Sequence, residues 1–122
     1  MEIIIEAGRV RAEAELDDTA TARDLFATLP VRNEVSTWGE EIYFEVPVDR
    51  GLDETARELV QEGDLGYWPT GKAFCIFFGP TPVSGPGEIR PASAVNVIGR
   101  IRGEAAVFRK VPDGAEVLIR RK

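Results

Sequence analysis

The sequence predicts a mainly β protein: a closed or nearly closed β-barrel of about eight strands, with one α-helix and one short helical turn. Three observations carry this. Short runs of alternating or wholly apolar residues recur along the 122 residues, separated by Gly, Pro and Asp turns. A single stretch repeats with the helical period. No internal repeat, low-complexity linker or break in composition divides the chain, so residues 1–122 are expected to form one domain around one core.

Each element follows from its residues. Ile3 to Ala7 is a compact β-type run and Gly8 can turn the chain. Val10, Ala12, Ala14 and Leu16 then alternate with Arg9, Arg11, Glu13 and Glu15, a strand with one wet face that closes an N-terminal hairpin. Ala22, Leu25, Phe26 and Leu29 take the i, i+3, i+4, i+7 spacing of an amphipathic helix. Thr21 and Asp24 have capping-box spacing at its start, and Pro30 stops it. Its expected task is to plug one end of the barrel or cover the sheet.

Val31–Trp38 and Glu41–Val46 read as a strand pair around Gly39-Glu40, with Ile42, Phe44 and Val46 on one face and Tyr43 and Glu45 on the other. Residues 47–53 are loop, and Thr55–Gln61 is either a helical turn or an edge strand. Glu62-Gly63-Asp64 turns the chain into Leu65–Pro69. Ala73–Phe78 is apolar at every position, which marks a central strand buried on both faces. Gly79–Pro91 is too long and too rich in Pro and Gly for a hairpin turn, and is a candidate functional loop. Ser93–Arg102 is a strand with Val95, Val97 and Ile101 facing in. Glu104–Phe108 is one helical turn, Pro112-Asp113-Gly114 a turn, and Ala115–Arg121 the last strand.

Composition removes most familiar chemistry. The chain contains no histidine, which excludes Ser-His-Asp and Cys-His catalysis, histidine metal sites and histidine proton transfer. One cysteine, Cys75, allows neither an intrachain disulfide nor a Cys-rich zinc site, and no metal or cofactor is expected. A net charge of −6 argues against a nucleic-acid partner, because neutralising phosphates needs a basic face. No apolar run approaches the roughly 18 residues of a membrane span. The acidic start Met1-Glu2-Ile3-Ile4-Ile5-Glu6 lacks the basic region of a secretory signal, so the expected location is the cytoplasm.

Local motifs add little chemistry. Gly66-Tyr67-Trp68-Pro69-Thr70-Gly71-Lys72 fits a phosphate-loop spacing, but Ala73 stands where Ser or Thr must hold magnesium, and a strand follows where a helix is needed. The carboxylate pairs Asp17-Asp18, Glu40-Glu41, Asp53-Glu54 and Glu62 with Asp64 fall at turns, where water keeps them ordinary. Cys75 sits among aromatics mid-strand without a histidine to activate it, and Lys72 follows a turn glycine, so a core thiol and an exposed amine are expected.

The aromatic residues are more informative. Trp38, Tyr43, Tyr67, Trp68, Phe74, Phe77 and Phe78 are seven of the ten in the chain, too many for one small barrel to place centrally. Some must line a mouth or groove, and Trp68, before Pro69 at a turn, is the leading candidate. Polar groups that could orient a ligand lie on or beside the long loop: Thr81, Ser84, Glu88, Arg90 and Asn96. The candidate ligand-binding set is Tyr43, Gln61, Trp68, Phe78, Thr81, Arg90 and Asn96, with Arg90 suited to take a carboxylate bidentately.

The stretch Gly63–Pro82 (GDLGYWPTGKAFCIFFGPTP) and the stretch Ile89–Ile101 (IRPASAVNVIGRI) together resemble a small family of bacterial and archaeal cyclophilin-like proteins of unknown function. The resemblance implies a shortened form of the eight-stranded cyclophilin-like barrel. Cyclophilins are prolyl isomerases whose pattern places an Arg before a Phe-x-x-Gln-Gly-Gly-Asp stretch. Here Glu58-Leu59-Val60-Gln61-Glu62-Gly63-Asp64 keeps Gln61, while Glu58 takes the Phe position and Asp53 the Arg position. The family's Val-Phe-Gly-Lys-Val resembles Val97-Ile98-Gly99-Arg100-Ile101, which puts its His and Trp positions on Val95 and Arg90. A carboxylate in place of the Arg would oppose loss of amide conjugation, whose barrier is about 18–20 kcal/mol, so inherited isomerase activity is not expected.

Three readings follow. The first is a binding module for a small molecule or peptide, with its pocket beside Trp68 and the 79–91 loop. The second is an enzyme, either a residual prolyl isomerase or a histidine-independent small-molecule enzyme. A more distant resemblance to cyclophilin-like domains of allophanate hydrolase and 5-oxoprolinase accompanies it. The third is a homodimeric structural protein using Ala73–Phe78 and the edge at Thr55–Gln61.

Overall fold

A computed structural model describes residues 1–122. Ten strands form one antiparallel sheet: β1 (Glu2–Ala7), β2 (Val10–Leu16), β3 (Val31–Glu34), β4 (Ser36–Thr37), β5 (Glu41–Glu45), β6 (Ala56–Arg57), β7 (Asp64–Trp68), β8 (Ala73–Phe77), β9 (Val95–Ile101) and β10 (Glu116–Arg121). Eight of them have four residues or more, and β4 and β6 have two. The helix α1 covers Ala20–Thr28, and 3-10 turns cover Pro69–Gly71 and Ala105–Lys110. No helix is long and apolar enough to cross a membrane.

The sheet runs β3-β10-β1-β2-β9-β7-β8-β5-β4, with β6 on β9. Its two ends are successive pieces of one segment. β3 pairs with β10, β4 pairs with β5, and only Val35 separates them. The expected strand Val31–Trp38 thus splits and changes partners, and that change brings the two ends of the sheet together into a nearly closed barrel. Asn33 Nδ2 donates to the Glu45 carbonyl at 3.0 Å and ties β3 to β5 across the seam.

A cluster of 28 buried side chains fills the interior. It includes Ile3, Ile5, Ala12, Ala14 and Leu16 from the N-terminal hairpin and Ile42, Phe44 and Val46, which do share one face. Ala22 and Leu25 bring α1 onto it. The cap of that helix is Thr19, whose hydroxyl accepts from Ala22 N at 3.3 Å, not Thr21. Thr21 is fully buried and gives its hydroxyl to Asp53 Oδ2 at 2.8 Å, so tertiary bonding claimed the residue that capping-box spacing singled out.

β8 is buried on both faces. Phe74, Ile76 and Phe78 enter the main core, while Ala73, Cys75 and Phe77 join Val60 and Val95 in a smaller cluster on the outer face. Both faces are covered within the chain, so β8 offers no apolar surface to a second copy. The ambiguous segment 55–61 is an edge strand. Ala56 and Arg57 pair with Asn96 and Val95, and Val60 bridges Ile89.

A bulge corrects the reading of β9. The pairing with β7 slips between Leu65 and Gly66, which reverses the alternation. Asn96, Ile98 and Ile101 turn away from solvent, whereas Val97, expected to face in, packs half-buried against the outer cluster. Gly99 sits at the slip, where a Cβ would stand 2.2 Å from the Glu15 carbonyl oxygen.

Candidate functional site

The outer face of β5, β8, β7 and β9 carries a concavity of about 260 Å³ lined by Trp38, Glu41, Tyr43, Trp68, Pro91, Ala92 and Val95. Alternation along β5 sends Ile42 and Phe44 to the core and leaves Glu41 and Tyr43 on this face. Trp38 comes from across the Gly39-Glu40 turn, where its N–H donates to the Glu41 carbonyl at 2.9 Å. Gly39 has φ +60°, and a Cβ there would lie 2.8 Å from Pro82 and 2.9 Å from Thr81, so the long loop rests directly on this turn. Trp68 ends β7, and its indole N–H donates to Ser93 Oγ at 2.7 Å. The rings of Tyr43 and Trp68 meet at 80° with centroids 6.3 Å apart, two walls at nearly a right angle.

Glu41 is the one charged group among the lining residues, and only 5% of it is exposed. Burial pushes its carboxyl up to about 7, and the one influence in the opposite direction is a hydrogen bond from the neighbouring Cys75 thiol. That thiol is raised well above its ordinary range by burial first and by Glu41 second. No cation reaches the pair. The carboxyl therefore changes protonation close to neutrality, and can donate or accept a proton at the pocket.

Of the seven residues expected at the site, Tyr43 and Trp68 line this pocket. The other five are placed elsewhere. Phe78 is buried in the main core against Phe108, with ring centroids 6.3 Å apart. Asn96 is fully buried and donates to Thr21 Oγ1 at 3.2 Å and to the Gly51 carbonyl at 3.1 Å, while its oxygen accepts from Asp53 N at 3.0 Å. It clamps the 47–53 loop to α1 and β9. Thr81 gives its hydroxyl to the Arg90 carbonyl, and Ser84 Oγ accepts from Thr81 N at 2.9 Å and Arg90 N at 3.0 Å. These bonds pinch the base of the 79–91 loop and set Pro91 and Ala92 at the pocket rim. Arg90 spends its guanidinium on Glu88, Nε to Oε2 at 2.9 Å, whose carboxylate also accepts from Gly85 N. Gln61 is exposed, beside a separate shallow groove with Asp64 and Arg100.

Of the positions that matched the isomerase pattern, only Val95 lines the pocket; Asp53 accepts from Thr21 and Thr55 next to α1, Glu58 and Gln61 are exposed, and Arg90 is paired with Glu88. Lys72, from the phosphate-loop spacing, is half-exposed and 3.5 Å from Asp49, with β8 directly after it. Three carboxylates expected in water are engaged. Glu41 is buried, Asp64 accepts from Gln61 N at 2.8 Å and pairs with Arg100 at 2.7 Å, and Asp53 is lowered although burial opposes the bonds from Thr55 and Thr21. No group of three His, Cys, Asp or Glu side chains stands together as a metal site.

Glu41 was missed because the Glu40-Glu41 pair follows a turn glycine. Its signal was its parity with Tyr43. β8 is apolar on both faces, so the outer faces of its neighbours must be partly covered too, and position 41 lies in register with Phe77 on β8.

A family model described as Cyclophilin-like matches residues 1–120. No curated protein matches the chain. Among solved structures, the chain is similar to a hypothetical protein from Archaeoglobus fulgidus solved in solution, at 39% identity and a TM-score of 0.84, over 100% of this chain and 95% of that one. It also superposes on McbB, a structure solved in complex with tryptophan, at 15% identity and a TM-score of 0.71. That likeness covers 98% of this chain but 44% of the other, and it concerns the fold.

Proposed function

The chain belongs to the cyclophilin-like family, and we propose that on this barrel it acts as a small-molecule-binding module whose site is the pocket of Trp38, Glu41, Tyr43 and Trp68. The observation that carries the reading is the meeting of three aromatic side chains and one buried carboxyl in a single concavity. Ligand sites are mostly apolar with a few orienting polar groups, and this pocket has that character. A group with a pKa moved toward neutrality in a cleft adds weight to it. At about 260 Å³ the space suits one or two rings rather than a run of peptide.

The test is a screen of one- and two-ring fragments against 15N-labelled protein, read at the indole N–H signals of Trp38 and Trp68. These are the only tryptophans in the chain and both line the pocket. At least one fragment should shift both signals saturably, and Trp68→Ala should weaken it at least tenfold. A screen whose hits all fall elsewhere, or which has none, overturns the reading. Prolyl isomerisation is not part of this reading, because the carboxylate Asp53 stands at the family's Arg position and the chain has no histidine. Exchange NMR on an Ala-Pro peptide should show no acceleration, and an acceleration would refute that exclusion.

A further inference from the structure

We propose that the pocket takes a methylated ammonium group, with the rings of Trp38, Tyr43 and Trp68 as its walls and Glu41 as its counter-charge. The inference rests on the pocket being a small-molecule site and names the ligand chemistry. Aromatic faces carry negative potential, and a cation held among them is attracted to each. Tyr43 and Trp68 pack edge to face at 80°, so a rounded group seated in the corner they form meets two differently oriented ring surfaces at once.

The charge inventory points the same way. The lining residues contain one carboxyl and no Lys or Arg, and Arg90 at the end of the adjoining loop is already paired with Glu88. An anionic ligand would meet Glu41 with nothing to offset it. A neutral one could hydrogen-bond that carboxyl but would leave its charge unbalanced once it ionises. A cation supplies the missing charge. Methylation suits the walls. Three of the lining side chains are aromatic and offer faces rather than acceptors, and a fully methylated ammonium is attracted to those faces while bringing no N–H donor to satisfy.

Binding should strengthen as Glu41 ionises. The titratable group packed against it is the Cys75 thiol on β8; Tyr43 shares its face of β5, and Glu40, the residue before it, lies against Gly79 and is paired with Arg109. Phe77, Trp68 and Val95 bring none.

Choline and its uncharged tert-butyl isostere, dimethylbutanol, separate the outcomes. Each is titrated into 15N-labelled protein at about pH 8 and at about pH 5.5, with the indole signals of Trp38 and Trp68 as readout. Choline should bind at least tenfold more tightly than the isostere at the higher pH and lose most of that margin at the lower. Glu41→Gln should remove most of choline's margin over the isostere at the higher pH, and Trp38→Ala, at a partly exposed position, should weaken choline without touching the core. Equal binding of both probes overturns the cation assignment while leaving a small-molecule pocket. Choline that shifts neither indole overturns it as well, and the fragment screen then decides separately whether the pocket binds anything.

Discussion

Replacing Glu41 by Gln preserves the shape of a 5% exposed side chain and removes its titration, which makes its energetic effect measurable without any ligand. The carboxyl moves from an ordinary value of 4.5 to about 7 in the folded chain, because burial penalises its charged form. The unfolded chain therefore releases this proton from about pH 4.5 upward, and the folded protein only near pH 7. The native state gains from the difference below the lower value and loses that gain progressively as pH rises through the upper one. At about 1.36 kcal/mol per unit the full span is about 3.4 kcal/mol, of which about 2.5 kcal/mol falls between about pH 5 and about pH 8. Urea unfolding of both proteins at those two pH values isolates the effect, since every other ionisable group is common to both and cancels in the difference. Glu41→Gln should gain about 2.5 kcal/mol on the parent protein over that interval, or about 10 °C in Tm for a chain of this size. Two stability profiles that run parallel from pH 5 to pH 8 would refute the burial argument, and with it the claim that the pocket holds an unpaired carboxyl.

Asn96 makes three hydrogen bonds in a fully buried position, so Asn96→Ala should destabilise the barrel by about 2–4 kcal/mol through the orphaned Asp53 amide and Gly51 carbonyl, measured by denaturant unfolding. A loss below about 0.5 kcal/mol would mean that the 47–53 loop is held by something else. Arg90→Ala should leave the affinity of any pocket ligand within twofold and the urea midpoint close to the parent's, because its solvent-screened ion pair stays within its own loop. A tenfold drop in ligand affinity would restore Arg90 to the site.

The barrel was legible because its signals are local. Alternation placed β1, β2, β5 and β10 within a residue of their observed ends, and the unbroken apolar run of β8 identified a strand covered on both faces. Turn glycines and Pro30 marked where chain direction changes. Residues whose fate depends on partners distant in sequence were misplaced. Thr21 looked like a cap, yet Asp53 and Asn96 draw it into the interior. Val97 looked inward until a slip in pairing with β7 reversed its face.

The same division runs through the candidate site. Sequence by itself determined the fold class, the absence of histidine chemistry, and the presence of more aromatic rings than a small core can absorb, because composition and period are properties of the chain alone. That reasoning singled out Trp68 and Tyr43, which share one concavity. Only the tertiary structure decided that Arg90, Thr81 and Asn96 spend their polar groups within the protein, and that Glu41 is buried in the wall of the pocket. The reason is physical: a side chain's charge state and availability depend on desolvation and on its neighbours, and in a barrel of this topology those neighbours come from strands far apart along the chain.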